Sequence, residues 1–172
     1  MFDKVAFPIT FTLGIMSTET DALNSCKYLY LNEIGEPYEN ALRLVVAEAV
    51  AEGKVNIKEH PTELANLLVQ SKPIVHTSTC RTFEITWSNY IGYSVRNESF
   101  ALPGEHEGKG LLLVEYTQSR YLEFIAASTF ADADFPGPFT NWALYCLNHT
   151  IDVISTDAPV IRLESHSPSI ND

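Results

Sequence analysis

The stretch FEITWSNYIGYSVRNESF (residues 83–100) is the most aromatic window of the chain and decides its fold class. Its apolar residues recur with a period of two, at Phe83, Ile85, Trp87, Ile91, Tyr93 and Val95. Since successive side chains of a strand point to opposite faces, the pattern predicts a strand with one face in the core. A bend is expected at Gly92 or at the pair Asn89–Tyr90. We therefore expect Trp87 to be buried, with its indole N–H bonded to an acceptor.

Alternation of the same kind predicts strands at 7–15 and 26–34, and further strands are expected at 111–116, 142–155 and 158–164. The first of these lies in MFDKVAFPITFTLGIM (1–16), which reads as a strand rather than a signal peptide because no small-residue cleavage site follows it. The segment 42–53 fits a helical face, yet it also aligns with the opening stretch. A strand is favoured there, and a helix stays open as the alternative.

Two short helices are predicted. HPTELANLLVQSKP (60–73) has a proline in its first turn and a leucine stripe, and TQSRYLEFIAAST (117–129) has Thr117 or Ser119 as a possible N-cap. TETDALNS (18–25) is interpreted as a polar connection.

Strands that follow one another without an intervening helix favour antiparallel pairing. We expect an α+β fold, a curved, mainly antiparallel β-sheet or incomplete sandwich with two short helices packed on it. One globular domain is expected over residues 1–164, with a flexible tail at 165–172.

The charge balance limits the classes of partner. The chain carries 11 Lys and Arg against 22 Asp and Glu, a formal net charge of −11. Phosphate backbones and anionic lipids are bound through basic residues, so the charge argues against nucleic acid and membrane partners. A basic protein partner fits the charge, and the alternative is that the acidity only keeps the protein in solution. The oligomeric state is left open. Three cysteines are too few for a disulfide framework, which favours a cytoplasmic location.

Cysteine and histidine residues form one candidate chemical site. His76 and Cys80 in one segment, with Cys146 and His149 in another, supply the ligand types of a tetrahedral zinc site. In one extended strand, however, Cys146 and His149 would point to opposite faces. The alternative use of these residues is a Cys/His-dependent enzyme. No serine-hydrolase elbow or phosphate-binding loop motif is present, and we expect no metal and no cofactor.

Two acidic loops form the other candidate site. Asp132 and Asp134 stand next to FPGPF (135–139), so that carboxylates lie beside an aromatic residue, as in binding hot spots. Asp132, Asp134 and Phe135 are the predicted partner contacts. Glu105 and Glu107 in GEHEG (104–108) are a second set. The alternative is that Phe135 and Phe139 fold back to cover the sheet.

Three stretches in order carry a resemblance: FEITWSNYIGYSVRNES, YTQSRYLEFI, and LYCLNHTIDVIS followed by a proline and a short strand. Over roughly residues 70–163 the chain resembles small uncharacterised bacterial proteins, some of them similar to immunity proteins of toxin–immunity systems. The resemblance implies a binding protein that masks a toxin, and it assigns no functional residue. We expect a non-enzymatic, acidic, cytoplasmic binding protein. The specific form that we expect is an immunity-type inhibitor of a basic toxin. A small Cys/His-dependent enzyme or zinc-binding protein is the alternative.

Overall fold

The computed structural model of the chain describes residues 18–53, 72–101 and 111–164. Several predictions therefore lie outside the described residues. They are the first strand at 7–15, almost all of the helix at 60–73, the acidic pair Glu105 and Glu107, and the tail at 165–172.

The described residues form nine β-strands and two α-helices. In chain order the strands are β1 Tyr28–Gly35, β2 Leu42–Ala51, β3 Ile74–Val75, β4 Thr82–Trp87, β5 Tyr90–Asn97, β6 Leu113–Tyr116, β7 Thr140–Tyr145, β8 His149–Ser155 and β9 Val160–Glu164. The helices are α1 Thr18–Asn24 and α2 Arg120–Ser128, and a short 3-10 turn follows β5 at Glu98–Phe100. Neither helix in these ranges has the length and apolar character needed to cross a membrane.

The strands build two sheets, and every pairing between described strands is antiparallel. The first sheet has the order β1-β2-β4-β9, with β3 paired to one end of β2. The second has the order β5-β8-β7-β6. The α+β class with a curved antiparallel sheet is confirmed, and the segment 42–53 is a strand over Leu42–Ala51.

The core lies between the two sheets. Its largest fully buried side chains from the first sheet are Leu29, Leu42, Leu44, Phe83, Ile85 and Trp87, and those from the second are Leu113, Leu144 and Ile151. These side chains alternate along their strands with residues on the opposite faces, as period-two patterning requires. Burial of so much apolar surface is the main favourable term in folding and holds the sheets face to face.

The opening stretch 83–100 is two strands in two different sheets. β4 ends at Trp87 and β5 begins at Tyr90, so the bend at Asn89–Tyr90 carries the chain from the first sheet to the second. The prediction of one core-facing row holds for Phe83, Ile85 and Trp87. Tyr93 also packs against this core, whereas Val95 does not. A β-bulge between Tyr90 and Gly92 shifts the register, and Val95 is exposed because β5 is an outer strand of its sheet.

Helix α2 is the predicted second helix. Ser119 is its N-cap, and its hydroxyl accepts a hydrogen bond from Leu122 N at 3.0 Å. The helix packs on β7 and β8 over the face of the second sheet that points away from the core. The interpretation of 18–25 as a connection is wrong, because α1 occupies Thr18–Asn24 and inserts Leu23 into the core.

The segment 142–155, predicted as one long strand, is a hairpin. β7 ends at Tyr145, β8 begins at His149, and Cys146 N donates to His149 O at 2.8 Å across the turn. Asn148 in this turn accepts from Leu31 N and donates to Leu31 O, each at 3.0 Å. The turn of the second sheet is thereby hydrogen-bonded to the outer strand β1 of the first, which joins the sheets at this end.

Candidate functional site

The candidate site is the loop at residues 129–137, called here the aromatic loop, which joins α2 to β7. It begins at Thr129, whose N–H and hydroxyl both donate to Ile125 O at the end of the helix. It ends at Gly137, whose positive φ of 127° is a conformation that residues with a β-carbon rarely adopt. The loop therefore starts at the hydrogen-bonded end of a packed helix and ends with two residues left before β7 begins.

Hydrogen bonds within the aromatic loop hold its shape. Asp132 Oδ1 accepts from Asp134 N at 2.8 Å and from Phe135 N at 2.9 Å, the arrangement of an Asx turn. Asp132 N donates in return to Phe135 O at 2.7 Å. These bonds close the turn on itself, so the loop is ordered by its own contacts.

Two phenylalanines stand on this fixed loop with their rings in solvent. Phe130 is 84% exposed and Phe135 is 63% exposed. Their rings are nearly parallel, 16° apart, with centroids separated by 6.0 Å. Exposed large aromatic side chains on a preorganised loop are typical of the anchors of protein interfaces.

Two acidic residues lie between Phe130 and Phe135 in the sequence. Asp132 and Asp134 are both exposed. The two backbone N–H groups on Asp132 Oδ1 lower the pKa of this carboxyl below its ordinary value, since they favour the charged form. The loop thus presents a carboxylate that stays ionised at neutral pH beside an apolar surface.

Asp132, Asp134 and Phe135, the predicted partner contacts, are all exposed on this loop. The alternative in which Phe135 covers the sheet is wrong, whereas Phe139 is half-buried against α2 beside Leu122. Phe130 is an exposed residue of this loop that the sequence reasoning missed. The sequence could have indicated its exposure, because Phe130 comes directly after the C-terminal cap of a predicted helix. A residue at that place no longer belongs to the core-facing side of the helix.

The Cys/His candidates divide between the two sheets. His76 Nδ1 lies 2.9 Å from Glu48 O, and Cys80 Sγ accepts from Thr77 N at 3.3 Å in the turn before β4. Cys146 and His149 lie in the β7–β8 turn of the other sheet. In the part of the chain that the structure describes, no three His, Cys, Asp or Glu side chains are grouped as metal ligands.

The cysteine environments favour neutral thiols. Burial raises the pKa of Cys146 to about 12. Burial, reinforced by the nearby Glu48 carboxylate, raises the pKa of Cys26 to about 11. The thiolate is the reactive and metal-binding form, so the raised pKa values keep these two sulfurs in the less reactive thiol form at neutral pH. All three cysteines are unpaired.

Arg81 organises a second polar cluster that the sequence did not single out. Its guanidinium makes two bonds to the Glu48 carboxylate, Nε to Oε2 at 2.8 Å and Nη2 to Oε1 at 2.9 Å. The same group reaches Cys26 Sγ at 3.1 Å and lies 5.6 Å from the ring centre of Phe83. Through Cys26, Arg81 ties the segment directly after α1 to the first sheet, which is a structural role.

A third polar cluster lies under α2 and positions the aromatic loop. Asp152, buried on β8, pairs with Arg96 and accepts from Asn141 Nδ2 at 3.0 Å. Asn141 also donates to the N-cap Ser119 at 2.9 Å. The start of α2 is therefore held on the second sheet by a buried network. Since the aromatic loop follows the other end of this helix, the network also determines where the loop lies.

No protein-family model, no curated protein and no solved structure matches this chain.

Proposed function

We propose that this is a binding protein that engages a basic protein partner through the aromatic loop. The observation that carries the proposal is the exposed, stacked pair of Phe130 and Phe135 on a loop closed by its own hydrogen bonds. A side chain of this size gains about 1.5–3 kcal/mol when it is buried, and a fixed loop loses little entropy on binding. The loop is thus suited to supply the anchors of an interface.

The charge of the chain supports a basic partner. The net charge of −11 attracts a basic protein at long range, and Asp132 and Asp134 place two acids next to the anchors. Complementary charge raises the rate of encounter and suppresses wrong partners. The concrete form that we propose is an immunity-type inhibitor of a basic toxin, acting in the cytoplasm. The unpaired state of all three cysteines supports a reducing compartment.

The thiol chemistry favours binding over the Cys/His-dependent alternative. A cysteine nucleophile requires a thiolate stabilised by a neighbouring cation or imidazole. Cys146 instead has a buried sulfur with a raised pKa, and its neighbour across the turn, His149, contacts it through the backbone. A protonated thiol of this kind contributes to packing.

The test begins with capture of the partner from extract of the native cells, its identification, and kinetics with the purified partner. Phe130→Ala and Phe135→Ala should each raise the dissociation rate and weaken binding by about 30-fold, the effect of losing about 2 kcal/mol at a hot spot. Phe100→Ala is the matched control, because Phe100 is 85% exposed beyond the opposite end of the second sheet. It should leave binding unchanged.

The contribution of charge is tested separately. Asp132→Asn with Asp134→Asn should slow association several-fold, and the slowing should shrink as salt is raised. The asparagine side-chain oxygen at 132 can still accept the two backbone bonds, so the loop keeps its shape. Glu39→Gln with Glu52→Gln, exposed residues flanking β2, removes the same net charge and should have a smaller effect.

Two results would contradict the proposal. One is that no basic partner is recovered, or that the recovered one binds every loop variant as it binds the wild type. The other is that the purified protein alone turns over a small molecule.

A further inference from the structure

The exposed ring faces of the aromatic loop restrict the shape of what can bind there. Phe130 and Phe135 are stacked with an angle of 16° between their planes, and most of each side chain is exposed to solvent. A flat group can extend such a stack over its whole area, whereas a tetrahedral group contacts it over a small area. The geometry favours a planar group of the partner.

The acidic residues of the loop restrict the charge of the group that can bind there. Asp132 Oδ1 already accepts two backbone N–H groups. The Asp134 carboxylate belongs to the same turn and is exposed. A planar donor with several N–H groups pairs with a carboxylate through two parallel bonds, which a single ammonium cannot do.

We propose that the partner inserts an arginine at this loop, with its guanidinium stacked on the Phe130–Phe135 pair and hydrogen-bonded to Asp134. The inference rests on the proposed function and deepens it by naming the side chain that is recognised. Lysine is disfavoured because its ammonium is compact and strongly hydrated, and it loses that hydration on an aromatic face.

The same chain contains the arrangement that we infer. Arg81 lies 5.6 Å over the ring centre of Phe83 while its guanidinium forks onto the Glu48 carboxylate. In this fold, an aromatic ring and a carboxylate therefore contact the same guanidinium at the same time. The aromatic loop offers the same two components on the surface, with the guanidinium to be supplied by the partner.

The experiment titrates the full chain with N-acetyl-arginine amide and, in parallel, with N-acetyl-lysine amide, while the ring resonances of its phenylalanines are followed by NMR. The arginine probe should shift Phe130 and Phe135, leave Phe100 unshifted, and bind about three- to fivefold more tightly than the lysine probe. Asp134→Asn and Phe135→Leu should each remove most of this preference. Circular dichroism confirms that the variants fold.

Equal affinity for the two probes, or shifts that spare Phe130 and Phe135, would overturn the inference. The outcomes separate the two proposals. If the probes bind equally and the loop variants still lose the partner, the arginine inference fails and the proposed function stands. If the arginine preference is found and no loop variant affects the partner, the proposed function fails.

Discussion

Ile125 of α2 fills the space above Gly92 of β5 where a β-carbon would stand. A β-carbon built on Gly92 would lie 2.6 Å from Ile125 Cδ1 and 3.5 Å from the Tyr121 hydroxyl. Helix α2 thus approaches the second sheet as closely as it does because position 92 has no side chain. This contact, together with the Asp152 network, places the helix that leads into the aromatic loop.

Gly92→Ala should destabilise the fold by about 1–3 kcal/mol, because the new methyl group overpacks the contact with Ile125. Ile125→Val removes the clashing Cδ1 and by itself should cost about 0.5–1.5 kcal/mol. In the double variant the costs should be less than additive, since the second change makes room for the first. Urea unfolding of the four proteins measures this, and strict additivity would show that the two residues do not meet.

Trp87→Ala should lower the free energy of unfolding by about 3–5 kcal/mol, the range for a large buried aromatic. Trp87 is 1% exposed, as expected, and among the described residues its Nε1 has no acceptor within hydrogen-bond distance. Trp87→Phe should cost much less than Trp87→Ala, because the phenyl ring refills most of the space that the indole occupied. A Trp87→Ala protein that unfolds like the wild type in urea would place this side chain outside the core.

Glu48 should make stability depend on pH. Its hydrogen bonds to Arg81 hold the pKa of the carboxyl below the ordinary 4.5. The stabilisation is therefore present above about pH 4.5 and is lost as pH falls through the lowered pKa. Glu48→Gln should cost about 1.5–3 kcal/mol at neutral pH, the range for hydrogen bonds to charged groups.

Unfolding curves between about pH 7 and pH 3 check this prediction. The Glu48→Gln protein should lose less stability on acidification than the wild type. Glu52→Gln, a change at an exposed residue after β2, is the control and should leave the pH profile of the wild type intact. Parallel profiles for Glu48→Gln and wild type would refute the role of the pair.

Purified protein should contain zinc far below one equivalent by elemental analysis, and Cys146→Ser should leave partner binding unchanged. The physical reason is that the Cys146 thiol is buried with a raised pKa, at the end of β7 far from the aromatic loop. Zinc near one equivalent that is lost on changing His76 or Cys80 would reverse this conclusion and favour the zinc-binding alternative.

The sequence by itself determined the elements whose burial follows from local period. The alternation Phe83, Ile85, Trp87 predicts β4 and its inner face correctly, because a half-buried strand must place every second side chain in the core. Ser119 as the cap of α2 was predictable for a similar reason, since capping uses only neighbouring residues. The acids and Phe135 of the aromatic loop could be selected from composition alone.

The tertiary structure decided how these elements meet. Period-two alternation is the same whether a stretch stays in one sheet or passes into another, so the passage at Asn89–Tyr90 was not visible in the pattern. The hairpin turn at Cys146–His149 lacks glycine and is stabilised by Asn148 contacts with β1, which are distant in sequence. The exposure of Phe130 depends on where α2 ends relative to the sheet. That position is set by Gly92 and the buried Asp152 network, whose partners come together only when the chain is folded.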